Sequence, residues 1–141
     1  TNISNSISSM EIIGICIWAA AYILESVADG QKMLFISKHK SGVCNIGLWK
    51  YSRHPNYFSE WLVWTGLVVA AIPSWLALQD NEGLPLWIFL GMGMVCASVM
   101  MYITLVHLTG ATPAEYYSVR KRKEYKVYQE KTNIFFPWFP R

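Results

Sequence analysis

The sequence predicts an all-α integral membrane bundle of about three transmembrane helices, followed by an amphipathic C-terminal helix on the cytoplasmic side. Three observations predict it. Hydrophobic residues make up 53% of the 141 residues and charged residues only 15%, against about 25% charge in an ordinary soluble domain. Three long apolar runs divide the chain. The basic residues gather in two of the four segments those runs leave. The length suits one domain, residues 1–141, rather than two. The chain opens on Thr1, as a piece of a longer protein or a processed product would.

The first run is Met10 to Leu24, with a polar-striped extension to Ile36. It is the shortest of the three before Glu25 interrupts it. The second run is Tyr57 to Trp75, and the third is Leu84 to about Leu108. A span needs about 20 mostly apolar residues, which the second and third satisfy directly. Seven Trp and eight Tyr suit a bilayer, whose interfaces favour both rings. Trp75 and Trp87 belong at one interface, and Trp49, Tyr51 and Trp138 at the other. Small residues in the third run, Gly91, Gly93, Ala97 and Ser98, would let a neighbouring helix approach closely.

Orientation follows from charge. Lys38, Lys40, Lys50 and Arg53 lie between the first and second runs, and seven Lys and Arg lie from Arg120 to Arg141. The N-terminal stretch Thr1–Ser9 and the connection Leu76–Pro85 have none. Three spans put the two basic segments on one side, which the positive-inside rule makes cytoplasmic. A glycosylation sequon, Asn2-Ile3-Ser4, then falls on the opposite side. The tail from Thr112 to Lys131 reads as one exposed helix, with Pro113 and Glu115 near its start and basic residues after them. Phe135-Phe136-Pro137-Trp138-Phe139-Pro140 cannot continue a helix and reads as an aromatic plug turning back to the interface. The net charge of +3 is too small to argue for nucleic acid. Three scattered His and three widely spaced Cys form neither a metal pattern nor a disulfide framework.

Polar residues near the cytoplasmic ends of the runs carry the functional reading. Glu25, Asp29 and Lys32 share one helical face. They form either a helix end with an Asp29–Lys32 ion pair or one wall of a polar pocket. Ionisable groups at membrane depth are costly and face protein or a water-filled cavity. The second wall runs from Lys50 to Glu60. Pro55 suits the first turn of the second span. His54 or Asn56 then sits where backbone N–H groups are unpaired, a place that accepts anions. Arg53 adds a fork suited to phosphate oxygens. Asn56 and Glu60 are one turn apart on a shared face. Glu60 has three candidate roles: pairing with Lys32, pairing with Lys50, or binding the ribose or amide of a cofactor. His54 reads equally as a plain interfacial histidine.

At these residues a resemblance becomes visible. Gly47-Leu48-Trp49-Lys50-Tyr51-Ser52-Arg53-His54-Pro55-Asn56-Tyr57-Phe58-Ser59-Glu60-Trp61 resembles the signature of the steroid 5α-reductase superfamily, in particular its branch known as domain of unknown function 1295. Asp29-Gly30-Gln31-Lys32 with Phe35, and the ending from Tyr125 and Tyr128 through Thr132 and Phe135 to Pro137-Trp138, are similar to the same branch. The resemblance covers most of Glu25 to Pro140, the C-terminal half of longer members.

It implies a helical membrane fold that binds NADPH in a cytoplasm-facing cavity and reduces a carbon–carbon double bond of a hydrophobic lipid or steroid. In a eukaryote the membrane would be that of the endoplasmic reticulum. The resemblance implies Asp29, Asn56, Tyr57 and Glu60 as cofactor-binding residues, and the charge reading adds Lys32 and Arg53 to them. The superfamily's substrate-activating residues come from earlier helices. No residue here is therefore assigned to catalysis, and upstream helices are expected partners. Ser59 stands where 5α-reductases prefer Gly, Glu25 where they have Asn, and Glu115 and Tyr116 in the region of a tail His. Isoprenylcysteine and phospholipid methyltransferases, which use S-adenosylmethionine, share a similar Arg-His-Pro-x-Tyr segment. They usually add a Gly after it and an acidic pair in the tail, which Ser59 and the single Glu115 do not match. A non-catalytic membrane protein that keeps the scaffold is the remaining alternative.

Overall fold

The computed structural model describes residues 6–39 and 41–141, so the Asn2-Ile3-Ser4 sequon and Lys40 lie outside the described residues. It is all-helical among those residues, and three helices are long and apolar enough to cross a membrane. Helix α1 spans Ser9–Lys38, α2 Pro55–Ala77 and α3 Leu84–Ile103. Two short helices follow, α4 (Ala111–Lys121) and α5 (Tyr125–Lys131).

Helix α1 begins on a reciprocal cap. The Ser8 hydroxyl accepts from Met10 N at 3.2 Å, and the Glu11 carboxylate accepts from Ser8 N at 2.6 Å. Its 30 residues span about 45 Å, against a hydrocarbon core of about 30 Å. The polar stretch after Glu25 is thus a continuation of the same helix, which is longer than a span requires. Only Gly14, Ala21 and Ala28 of α1 are buried. They stand seven residues apart and form a seam of small side chains on one face. Ser59 and Gly66, also seven apart, are buried on α2. The seam brings the two backbones together: a Cβ on Gly66 would lie 2.7 Å from Trp18 N, and one on Gly14 would lie 2.6 Å from Gly66 O. Gly14, near the start of α1, meets the second half of α2, so the helices run antiparallel.

The closest helix approach is therefore between the first two spans. In the third, the small residues act differently. Gly91 makes room for the Trp75 indole, with a would-be Cβ 2.6 Å from Cζ2, and Gly93 meets nothing within 4 Å among the described residues. Ser98 faces α2, where its hydroxyl lies 3.0 Å from that of Thr65 and its carbonyl accepts from Trp61 Nε1. The far end of the α2–α3 hairpin is held by two indoles. Trp75 and Trp87 stack at 4.4 Å, and each ring N–H donates to the other's carbonyl, at 2.9 and 3.1 Å.

Beyond Ile103 the helix widens into a π turn, Thr104–Leu108, closed by Thr109 N donating to Thr104 O at 3.1 Å. This turn points Leu105 and Val106 into a small core with Phe135. Gly110 then reverses the chain, where any Cβ would collide with the Leu105 carbonyl. The single tail helix expected over Thr112–Lys131 is instead two helices joined at Arg122–Glu124. The break lets α5 fold back so that Tyr125 and Tyr128 are buried. Of the aromatic ending, Phe135 is the plug: it is 1% exposed and packs edge-on to Phe58 and Tyr102. Trp138 and Phe139 stay exposed.

Candidate functional site between the first two helices and the tail

The segment between α1 and α2 is folded by local hydrogen bonds. Gly47 has φ +55°, a left-handed conformation that favours glycine, and a side chain there would strike the Gln31 amide. A 3₁₀ turn, Gly47–Lys50, then drives Trp49 inward. Its indole N–H donates to Ala28 O at 2.8 Å, and Leu48 N donates to Gln31 Oε1 at 2.9 Å. Lys32 sits over the Trp49 ring, 4.4 Å from the centroid. The ion pair with Asp29 considered for it does not form; the ring takes the ammonium instead.

The next three residues stitch this segment to the tail. Ser52 is fully buried, donates to Phe135 O at 2.8 Å and accepts from His54 N at 3.2 Å. Arg53 Nε donates to Glu115 Oε1 at 2.7 Å, while Nη1 donates to Gln129 O and Thr132 O at 2.6 and 2.9 Å. His54 Nε2 meets the same Glu115 oxygen at 3.1 Å. A carboxylate only accepts, so Nε2 carries the proton. Gln129 Nε2 donates to the other oxygen, Oε2, at 2.6 Å. Tyr57 stacks on His54 at 5.2 Å, with the ring planes nearly parallel. His54 is thus a buried member of a network rather than a plain interfacial histidine.

This network holds Arg53 and Tyr57 of the expected site residues. A second group is Asn56 and Glu60, one turn apart on α2, with Glu25 of α1 within electrostatic reach of Glu60 and of the exposed Asp29. Pro55 occupies the first turn of α2 as expected, with His54 before it and no side chain capping the turn. Glu60 forms no ion pair with Lys32 or Lys50. Asn56 Oδ1 is buried without a hydrogen-bond partner among the described residues.

Lys32 stands between the two groups. It lines a small cavity of about 70 Å³ with Arg53, His54, Arg122 and Tyr125. Burial pushes the Tyr125 hydroxyl well above its ordinary range, and does the same to Tyr128. Both therefore remain neutral donors at physiological pH. Tyr128 spends its proton on Trp49 O, with Ser52 O a second acceptor at 3.3 Å. Chemically, the arrangement offers acceptors on one side (Asn56, Glu60, Asp29, Glu25) and cations on the other (Lys32, Arg122).

Ser52, Glu115, Gln129 and Tyr128 are the residues that sequence reasoning missed. Glu115 had a signal, as the acid nearest the start of a basic tail, but its partner Arg53 is 62 residues away. No curated protein and no solved structure matches the chain. The family described as "Protein of unknown function (DUF1295)" matches residues 1–132. The chain belongs to this DUF1295 family.

Proposed function

We propose that this protein binds NADPH at the cytoplasmic ends of α1 and α2 and serves a membrane reductase acting on a carbon–carbon double bond of a lipid or steroid. The observation that carries the reading is the buried, unpartnered Asn56 Oδ1. An orphaned carbonyl costs about 1–3 kcal/mol, and a donor arriving on a ligand would remove that cost. A carboxamide N–H is such a donor. Glu60, one turn along, and Asp29 across the helix contact are acceptors suited to ribose hydroxyls. Lys32 and Arg122, at the neighbouring cavity, are placed for phosphate oxygens. Arg53 enters this reading through its free guanidinium edge, since Nε and Nη1 are already engaged. Tyr57 holds His54 by stacking. The donor set fits a dinucleotide with acidic groups at its sugars and basic groups at its phosphates.

Bound NADPH supplies a hydride. The chain's own residues bind and orient, and the surrounding apolar helices keep water from the reacting carbon. An apolar substrate would arrive through the bilayer, and the proton donor it needs would come from helices outside those described. The basic loop and tail lie on the cytoplasmic side in this reading.

Thermal unfolding in detergent tests it, because a ligand that binds only the native state raises its stability. NADPH should stabilise the protein and S-adenosylmethionine should not; stabilisation by S-adenosylmethionine alone would sink the reading. Glu60→Ala should weaken NADPH binding about 10- to 100-fold, the value of a hydrogen bond to a charged group. Asn56→Ala should weaken it up to about tenfold while leaving the cofactor-free protein as stable as before, since the orphaned carbonyl goes with the side chain. If the NADPH effect survives both changes intact, the pocket lies elsewhere.

A further inference from the structure

We propose that a groove on the cytoplasmic face, separate from the Asn56–Glu60 site, seats the headgroup of an anionic phospholipid from the surrounding leaflet. The groove has a volume of about 450 Å³ and lies between the segment leading into the 3₁₀ turn and helix α5. Its lining is amphipathic: Lys50 and Lys131 supply cations, while Val43, Val127 and Pro140 supply apolar surface. Glu124 is the one acidic lining residue, so the lining keeps one net positive charge. Two ammonium groups beside apolar walls fit a phosphate with a glycerol and upper acyl chain attached better than they fit a soluble anion.

Two further observations place the groove at bilayer level. The first is the aromatic stretch that runs into the lining residue Pro140. Trp138 and Phe139 are 67% and 76% exposed, and Phe139 rests edge-on to Tyr51 at 6.0 Å. Neighbouring Phe136 packs against Trp61 of α2 and Tyr102 of α3, so this stretch joins the bundle where the spans end. Exposed Trp and Phe beside span ends belong at the membrane interface. The second is charge. Residues 111–141 carry seven Lys and Arg against three Glu, a surplus of +4 in a chain whose total is +3. The tail therefore holds the whole positive surplus, which an anionic leaflet attracts.

The test is native mass spectrometry of the full chain released from bilayers of phosphatidylcholine with phosphatidylserine as the minor component. Wild type should retain phosphatidylserine in preference to phosphatidylcholine. Removing both groove lysines (K50Q with K131Q) should lower that preference about thirtyfold, at about 1 kcal/mol for each lysine near the surface. Removing two lysines off the groove (K121Q with K126Q) should leave most of it. Unchanged melting temperatures would show both variants folded. The proposal is overturned if wild type shows no preference, if both double variants lose it equally, or if NADPH displaces the lipid. The last outcome would assign the groove to the cofactor and leave the NADPH reading standing.

Discussion

Replacing Glu115 with alanine should destabilise the folded protein by about 3–5 kcal/mol, the usual cost of removing one partner from a buried ion pair. The side chains of Arg53 and Glu115 are 11% and 7% exposed, and their closest atoms are 2.7 Å apart. Without the carboxylate, Arg53 keeps two backbone carbonyls but no counter-ion, His54 loses its acceptor, and Gln129 loses the oxygen it donates to. The damage should appear as detachment of the tail, because Arg53 reaches the carbonyls of Gln129 and Thr132 only when Glu115 orients it. Chemical denaturation in detergent gives the magnitude, and limited proteolysis after the basic residues of α4 and α5 gives the location. Arg53→Ala should cost a similar amount. The double replacement Arg53→Met with Glu115→Leu should recover only the part of the loss that comes from an unpaired buried charge, since His54, Gln129 and the two carbonyls still lose their partners. Equal stability of Glu115→Ala and wild type would mean that the contact does not hold the tail.

This prediction rests on a residue whose role the sequence hides. The three spans are legible because lipid imposes a length and an apolar composition that no loop imitates. Pro55 at the start of α2 is legible for a similarly local reason: its fixed φ and missing N–H suit only the first turn. The tail was legible in type but not in division. Arg122, Lys123 and Glu124 carry no Pro or Gly, so nothing local announces the break that folds α5 back. What decides it is burial of Tyr125 and Tyr128 against the 3₁₀ turn, a long-range effect. Glu115 falls in the same class. As a carboxylate in the first half of a helix, it satisfies a local rule about helix dipoles, and that sufficiency conceals its contact with Arg53. The sequence reads the expected cofactor residues as one set of polar groups at one level. Their separation into a tail-bound pair and an acceptor group across α1 and α2 depends on side-chain directions that spacing does not supply.

The two halves of the site depend on one another through the helices that carry them. Asp29 is on α1, whereas Asn56 and Glu60 are on α2, so their separation is set by how closely those helices pack. At one end, the 3₁₀ turn that leads into α2 is tied to α1 through Trp49 and Ala28. Farther along, no polar contact between the two helices does that work among the described residues, and the distance is governed by the small residues of the seam.

Gly66→Leu should therefore be at least as damaging as the loss of Glu115, by a different route. Helices in lipid gain little from the hydrophobic effect on association and depend on van der Waals packing. The atoms that a Cβ on Gly66 would meet are Trp18 N, Gly14 O and Trp18 Cα, at 2.7, 2.9 and 3.1 Å. All three are backbone, so no side chain can turn aside, and the helices must separate. A gap of 0.5–1 Å forfeits about a quarter to a half of each contact's dispersion energy, and the seam through Gly14, Ala21 and Ala28 shares the displacement. Even Gly66→Ala should cost about 1–3 kcal/mol, as overpacking does, with Gly66→Leu above that range. Gly93→Ala is the matched control. It too lies in an apolar span, but a Cβ there meets nothing within 4 Å among the described residues, so it should be neutral or slightly stabilising, as alanine favours helix over glycine. Denaturant titration of the three variants in the same detergent compares them directly, and equal tolerance of Gly66→Ala and Gly93→Ala would refute the close crossing. If the crossing and the proposed NADPH site both hold, Gly66→Ala should also weaken NADPH binding while leaving Asp29, Asn56 and Glu60 chemically intact, because the proposed site has residues on both helices that this seam spaces.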